Sequence, residues 1–297
     1  MNVLIFGASG FIGNAVMDHF SVNHSVTGID RIGNAEKNIL TADDFKRTAE
    51  LISENKFDLI INCAGSSNVS QSVRDPQHDF ELNTILVQHL LCAIKESSPG
   101  TKFINISSAA VYGNPATLPI KESDLPKPLS PYGLHKLLSE ELISHYSRLY
   151  QIQALSVRIF SAYGTGLKRQ FFYDLYTKFM NNAGGIELAG TGNESRDFIF
   201  ISDIAEALEV LFQKAAFNGE AYNLGSGEES FIAPTASLFA RICGYKGEIR
   251  FNQKQFEGYP LNWKACTGKL SALGFSPKVT LEEGLKNYLD YLKSSEA

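Results

Sequence analysis

Tyr132 and Lys136 stand four residues apart in PYGLHK, a spacing that puts both on one face of a helix. An ammonium beside a phenol favours the phenolate, so Lys136 is expected to lower the Tyr132 pKa. Upstream, Ser108 in SSAAVYG offers a hydroxyl that can hold a substrate oxygen. GASGFIG at residues 7–13 has the glycines of a dinucleotide-binding turn. Each piece alone is weak, because a Tyr-x-x-x-Lys pair is usually part of an ordinary amphipathic helix. Together they describe a site that moves a proton and a hydride on a carbinol or a carbonyl.

Such a site needs a scaffold, and the first half of the chain spells one out. Short apolar runs at 2–6, 25–30, 57–65, 102–107 and 153–160 read as strands. Amphipathic stretches from Phe11, at 43–55, at 80–97 and at 130–150 read as the helices between them. Strand–helix alternation predicts an α/β fold, a parallel sheet covered on both faces and doubly wound by right-handed crossovers. The second half is less regular, with helices expected at 171–183, 203–215 and 281–293 and a strand at 220–226. The rhythm changes near residue 165. This sets the expectation of a dinucleotide domain over 1–165 and a substrate portion over 166–297, with the segment 198–225 returning to the main sheet.

GASGFIG follows a strand and opens a helix, the context the motif requires. Gly7 permits the tight turn, Gly10 lets the backbone approach a pyrophosphate, and Gly13 allows close helix packing. Ser9, Phe11 and Ile12 complete the expected cradle, and the helix N-terminus supplies unpaired N–H groups. Asp30 ends the second strand, 17 residues after Gly13, where a carboxylate binds ribose hydroxyls and repels a 2′-phosphate. That favours NAD. Arg31 keeps NADP open, since it could pair with the extra phosphate. Asp43 is a candidate for the adenine amino group or a helix N-cap, and Ala64 and Gly65 leave room for a cofactor over the sheet edge.

Composition narrows the classes. The chain of 297 residues carries a net charge of −5, which argues against a nucleic-acid surface. Cys63, Cys92, Cys243 and Cys266 are scattered, without the spacing of a zinc site or a disulfide framework. The sequence begins at a strand, not at a leader-like segment, and no apolar run approaches the ~20 residues of a membrane span. A cytoplasmic location is the expectation.

The chain resembles the extended short-chain dehydrogenase/reductase family of nucleotide-sugar epimerases, dehydratases and reductases. The resemblance runs through GASGFIG, NCAGSSNVSQSVRDP at 62–76, Asn83, SSAAVYG, YGLHK, RIFSAYGTG at 158–166, SRDFIFISDIA at 195–205 and YNLGSG at 222–227. It implies a Rossmann domain with a smaller C-terminal substrate domain, an NAD cofactor contacted in part by Asn83, a nucleotide diphosphate sugar as substrate, and a homodimer. It also implies that Tyr132 is the acid/base, that Lys136 supports it and contacts the nicotinamide ribose, and that Ser108 bonds the reacting oxygen.

Departures from the family pattern sharpen the reading. The 4,6-dehydratases place Asp and Glu after the Ser/Thr position, whereas this chain has Ala109 and Ala110, whose methyl groups transfer no protons. Ser161 stands where many relatives carry an Asn that holds the sugar nucleotide, and Ser67 is a candidate for the hexose. Lys168, Arg169 and Arg196 are the candidates for the diphosphate, with a structural ion pair to Asp197 as the alternative for Arg196. A family arginine expected near 255–260 is missing from QFEGYP, and Arg250 is the nearest substitute. The expectation is an NAD-dependent nucleotide-sugar epimerase acting at C4 through a 4-keto intermediate. The alternatives are an NAD(P)H-dependent 4-keto-6-deoxysugar reductase and, less well matched, a non-catalytic dinucleotide sensor.

Overall fold

A computed structural model of the chain describes residues 1–41, 45–254 and 260–295. Its centre is a parallel sheet of seven strands: β1 Asn2–Phe6, β2 Ser25–Asp30, β3 Ile39–Thr41, β4 Leu59–Asn62, β5 Lys102–Ser108, β6 Ala154–Ile159 and β7 Asn218–Leu224. They lie in the order β7-β6-β5-β4-β1-β2-β3. Alternate residues of β1 serve the two faces. Val3 and Ile5 join a core with Val16, Phe20 and Leu208, while Leu4 and Phe6 join a second with Ile60, Leu90 and Ile143. Burial on both sides explains why LIIN in β4 is apolar without alternation.

Chain direction reverses its march between β1 and β4, so the crevice opens at the C-terminal ends of these strands. Ser108 ends its strand at that edge, and the glycine turn, Ala64–Gly65 and Phe160 follow the ends of theirs. Strand β7 is seated beside β6, which brings the chain back to the sheet after the excursion that follows residue 160. Helix Ile201–Lys214 lies against helix Phe11–Phe20 on the same core.

Beyond the sheet, helices Gln170–Asn181, Ile232–Cys243 and Leu281–Ser294 pack around short strand pairs. Ser161–Tyr163 pairs with Phe198–Phe200, and Gly185–Leu188 with Glu248–Phe251. The sequence reading leaves helix Ile232–Cys243 out, and also the short helix Val69–Arg74. The long helix expected at 80–97 is really a succession. Pro76–Phe80 starts it, capped by Asp75 accepting from His78 N–H at 3.1 Å; a π turn Glu81–Ile85 follows, and then Leu86–Ser97. The strand expected at 57–65 is β4 and stops at Asn62, and Gly65, three residues on, turns the backbone at φ +135°.

Candidate active site

The glycine turn is built so tightly that side chains would not fit. Gly7 lies at φ +72°, and a Cβ on it would sit 2.6 Å from Ala64 N. A Cβ on Gly13 would lie 2.0 Å from the Gly7 carbonyl oxygen. Helix Phe11–Phe20 therefore starts against the sheet edge, with Gly10 as an N-cap that offers no side chain to its N–H groups. Asp30, at the tip of β2, accepts from Ser9 N–H at 2.9 Å and Arg31 N–H at 2.7 Å. The carboxylate is held facing the turn with lone pairs to spare, and Arg31 is exposed. On the other side, a Cβ on Gly65 would lie 2.6 Å from Asn83 Oδ1 and 3.3 Å from Lys136 Nζ. Asn83 is buried, and neither its Oδ1 nor its Nδ2 has a hydrogen-bond partner. A cradle without side chains, a fixed carboxylate and two orphaned polar atoms fit a dinucleotide laid across β1, β2 and β4. Asp43 lies outside the described residues.

Helix Pro131–Tyr150 carries the two candidate proton-transfer residues, Tyr132 and Lys136. Ser130 caps it, accepting from Gly133 N–H at 3.2 Å, and Pro131 opens its first turn. Tyr132 and Lys136 are both buried there, 7% and 5% exposed, so their charge states answer to their neighbours more than to water. Burial pushes the Tyr132 phenol up; a hydrogen bond from the Ser108 hydroxyl and the charge of Arg169 oppose it, and Asp79 adds to it. The expected control of the phenol by Lys136 is thus overridden by desolvation, with Ser108 and Arg169 supplying the counterweight. Burial also brings Lys136 down to about 8, against the raising influence of Asp79, Cys63 and Glu140. Its ammonium donates to the Ile106 carbonyl at 2.9 Å. Ser108 is fixed in turn, its Oγ accepting from Ala110 N–H at 3.1 Å at the head of the turn Ala109–Tyr112.

These groups share one cavity of about 310 Å³. Gly10, Phe11, Ile12, Ala64 and Gly65, from the glycine turn and the end of β4, line one side of it. Ser67, Ser108, Ser161, Arg169 and Arg196 form the side facing away, and Ser67 Oγ is buried without a partner. A second cavity of about 760 Å³ adjoins it, and Ser161, Arg196 and Pro260 line both. Arg196 is held at that junction by the Ser195 and Leu261 carbonyls, at 2.7 and 3.0 Å, and lies over the Trp263 ring. Asp197 takes its donors elsewhere: Ser226 N–H and Oγ–H, Gly227 N–H and Ala265 N–H.

Lys168 is exposed and lines neither cavity. Arg250 is a surface residue paired with Glu248 at 2.5 Å, so it does not replace the arginine missing from QFEGYP; residues 255–259 of that stretch lie outside the described residues. Trp263, Pro260 and Phe160 line the site without having been singled out in the sequence, because loop 260–263 folds back onto the turn after β5. Trp263 Nε1 donates to the Gly113 carbonyl at 3.1 Å, a link across 150 positions that no local pattern announces. Among the described residues no cluster of three or more His, Cys, Asp or Glu could hold a metal ion.

The profile of the NAD dependent epimerase/dehydratase family matches residues 3–225. The chain belongs to this family. It is an NAD-dependent enzyme of that group, with the Rossmann sheet of its relatives, which align over nearly its whole length. A putative UDP-glucose 4-epimerase of Methanocaldococcus jannaschii is 29% identical over 99% of both chains. A UDP-glucuronic acid 4-epimerase from Bacillus cereus, solved with UDP-glucuronic acid and NAD, is 30% identical, with a TM-score of 0.89 over 99% of this chain and 100% of that one. A UDP-glucose 4-epimerase from Thermotoga maritima, solved with UDP-glucose, has a TM-score of 0.91 at 25% identity, covering both chains completely. Within this epimerase/dehydratase frame, Ala109 and Ala110 occupy the turn beside Ser108, and no proton-transferring side chain stands there. Among the described residues no helix is long and apolar enough to cross a membrane.

Proposed function

We propose that the protein is an NAD-dependent nucleotide-sugar epimerase that inverts C4 of a UDP-linked hexose through a 4-keto intermediate. The carrying observation is the Tyr132–Ser108–Lys136 set lining one cavity that opens, past Arg196, into a second. Bound NAD supplies the acceptor, and then the donor, of the C4 hydride. Tyr132 takes the proton of the C4 hydroxyl as the carbon is oxidised, and returns it to the C4 oxygen when the ketone is reduced on its other face. Ser108 hydrogen-bonds that oxygen, and the Lys136 ammonium favours the phenolate. Arg196 anchors the diphosphate at the junction, which leaves the hexose free to turn over between the two half-reactions. The alanines after Ser108 support epimerisation over C5–C6 elimination.

In this reading residues 1–165 with the return at 198–225 form the cofactor domain, and the rest of 166–297 receives the nucleotide and sugar. The enzyme acts in the cytoplasm. It is a homodimer through helices Leu86–Ser97 and Pro131–Tyr150. The second of these shows Leu134, Leu138 and Leu149 at 44%, 37% and 54% exposure, an apolar stripe at helical spacing. Paired Leu134→Glu and Leu138→Glu substitutions are expected to give a monomer by light scattering; an unchanged molar mass removes the dimer. The activity itself is tested on a panel of nucleotide sugars by mass spectrometry and NMR, with and without NADPH. An isomer of unchanged mass without net NADPH use is the expected product. A reduced product with stoichiometric NADPH loss makes the enzyme a ketoreductase.

A further inference from the structure

Behind the catalytic helix lies a buried acid that the proton transfer does not use. Asp79 is 3% exposed, and its Oδ2 is 2.7 Å from Nδ1 of His135, itself 7% exposed. Its second oxygen, Oδ1, is buried without a partner. His135 sits between Tyr132 and Lys136 in sequence, so this contact holds the very turn that presents them. Two further buried side chains clamp the same turn. Ser72 Oγ accepts from Tyr132 N–H at 3.1 Å, and Thr84 Oγ1 donates to the His135 carbonyl at 3.0 Å. A hydroxyl would suffice for a clamp; a carboxylate with a bare oxygen brings a charge as well, in a place where water does not screen it.

We propose that Asp79, held by His135, is a positioning residue whose negative charge sets the protonation of both Tyr132 and Lys136 and so the pH range in which the site works. A buried anion disfavours the phenolate and favours the ammonium, so it raises both; the directions found for the two residues include this influence of Asp79. The other charged and titratable groups facing them are Arg169 on the cavity side, Cys63 at the end of β4 and Glu140 one turn further along the helix. Arg74, Asp75, His78 and Glu81, on the elements around Asp79, are exposed. Holding Lys136 charged is the useful half of this arrangement, since a lysine this deeply buried otherwise drifts toward its neutral form.

The inference rests on the proton-transfer role proposed for Tyr132, and the test separates the two. Asp79→Asn keeps the size and a hydrogen-bonding side chain but removes the charge. Two quantities are read: the near-ultraviolet phenolate absorbance of each protein against its Tyr132→Phe counterpart, which needs no substrate, and the pH profile of turnover. With Asp79→Asn the Tyr132 phenolate is expected to appear at lower pH, by on the order of one pH unit. Both limbs of the turnover profile move down with it. His135→Asn retains a donor for the carboxylate, and is expected to leave the phenolate transition at or above its original pH. Should Asp79→Asn fail to fold, the double Asp79→Asn, His135→Asn variant removes the charge while leaving two amides that can pair, and the same downward shift is expected. A lower profile height with unmoved limbs and an unmoved phenolate transition overturns the proposal, as does a downward shift in His135→Asn alone. A shifted phenolate transition in a protein that turns over no nucleotide sugar upholds the electrostatic role and instead removes the epimerase reading.

Discussion

At the scale of single residues, the site places an acid/base where burial opposes its ionisation. Tyr132 is a strong base once deprotonated and a competent acid afterwards, which suits a reaction that must take a proton and give it back. Tyr132→Phe is expected to lower kcat by about 10²–10⁴-fold with KM little changed, measured on the sugar identified by the panel. The Lys136 ammonium favours the phenolate only while it is charged. With burial bringing it down to about 8 and pushing the phenol up, the phenolate–ammonium pair gains with pH below about 8 and holds level above it until the phenol itself ionises, so kcat/KM is expected to rise with pH and level off near 8. A profile that keeps climbing well beyond that pH would mean that the ammonium is not needed in its charged form. That Ser108, Tyr132 and Lys136 would meet in one cavity was legible in the sequence because their spacing is fixed by one strand end and one helix. Asp79 was not, since an acid in the middle of a polar helix start reads as solvent-facing until the helix it meets is known.

Elements supply the precision that residues alone lack. Helix Phe11–Phe20 starts almost in contact with the turn before it, and in the proposed function that closeness lets its N-terminus serve a pyrophosphate. Gly13→Ala puts a methyl group 2.0 Å from the Gly7 carbonyl oxygen, which forces the helix away from β1. NAD affinity is expected to fall at least about tenfold by calorimetry, a loss of about 1.4 kcal/mol; retained affinity would show that the turn yields without cost to the site. The π turn Glu81–Ile85 is the element that the periodicity hid. It lies within an apparently continuous helix, and hydrophobic spacing does not register one extra residue in a turn. Asn83 sits within that turn, buried and without a partner, in line with the enrichment of π segments at functional sites.

For the molecule as a whole, the second cavity is the part that the proposed function gives to the nucleotide sugar. It is assembled from helix Gln170–Asn181, the strand ending at Leu188 and loop 260–261, all beyond the first six strands of the sheet. Arg196 joins it to the catalytic cavity, so Arg196→Ala is expected to raise KM for the nucleotide sugar roughly tenfold to a hundredfold, with a smaller change in kcat. Equal losses in both would place the guanidinium in the chemistry, not in binding. The aromatic run FFYDLYTKF shows how far sequence reaches here. Phe172, Tyr176 and Phe179 are core, as helical spacing predicts, while Phe171 and Tyr173 line the cavity. By itself the sequence determined the alternation of strands and helices behind the doubly wound sheet, the glycine turn, and the placing of Ser108 at a strand end with Tyr132 and Lys136 on one helix face, because each is written in local pattern. Only the tertiary structure decided the charge environment of Tyr132 and Lys136, the position of Arg196 between two cavities, and the loop that closes the site through Trp263. Those depend on which distant segments exclude water from the same place, and desolvation is a property of the packed whole.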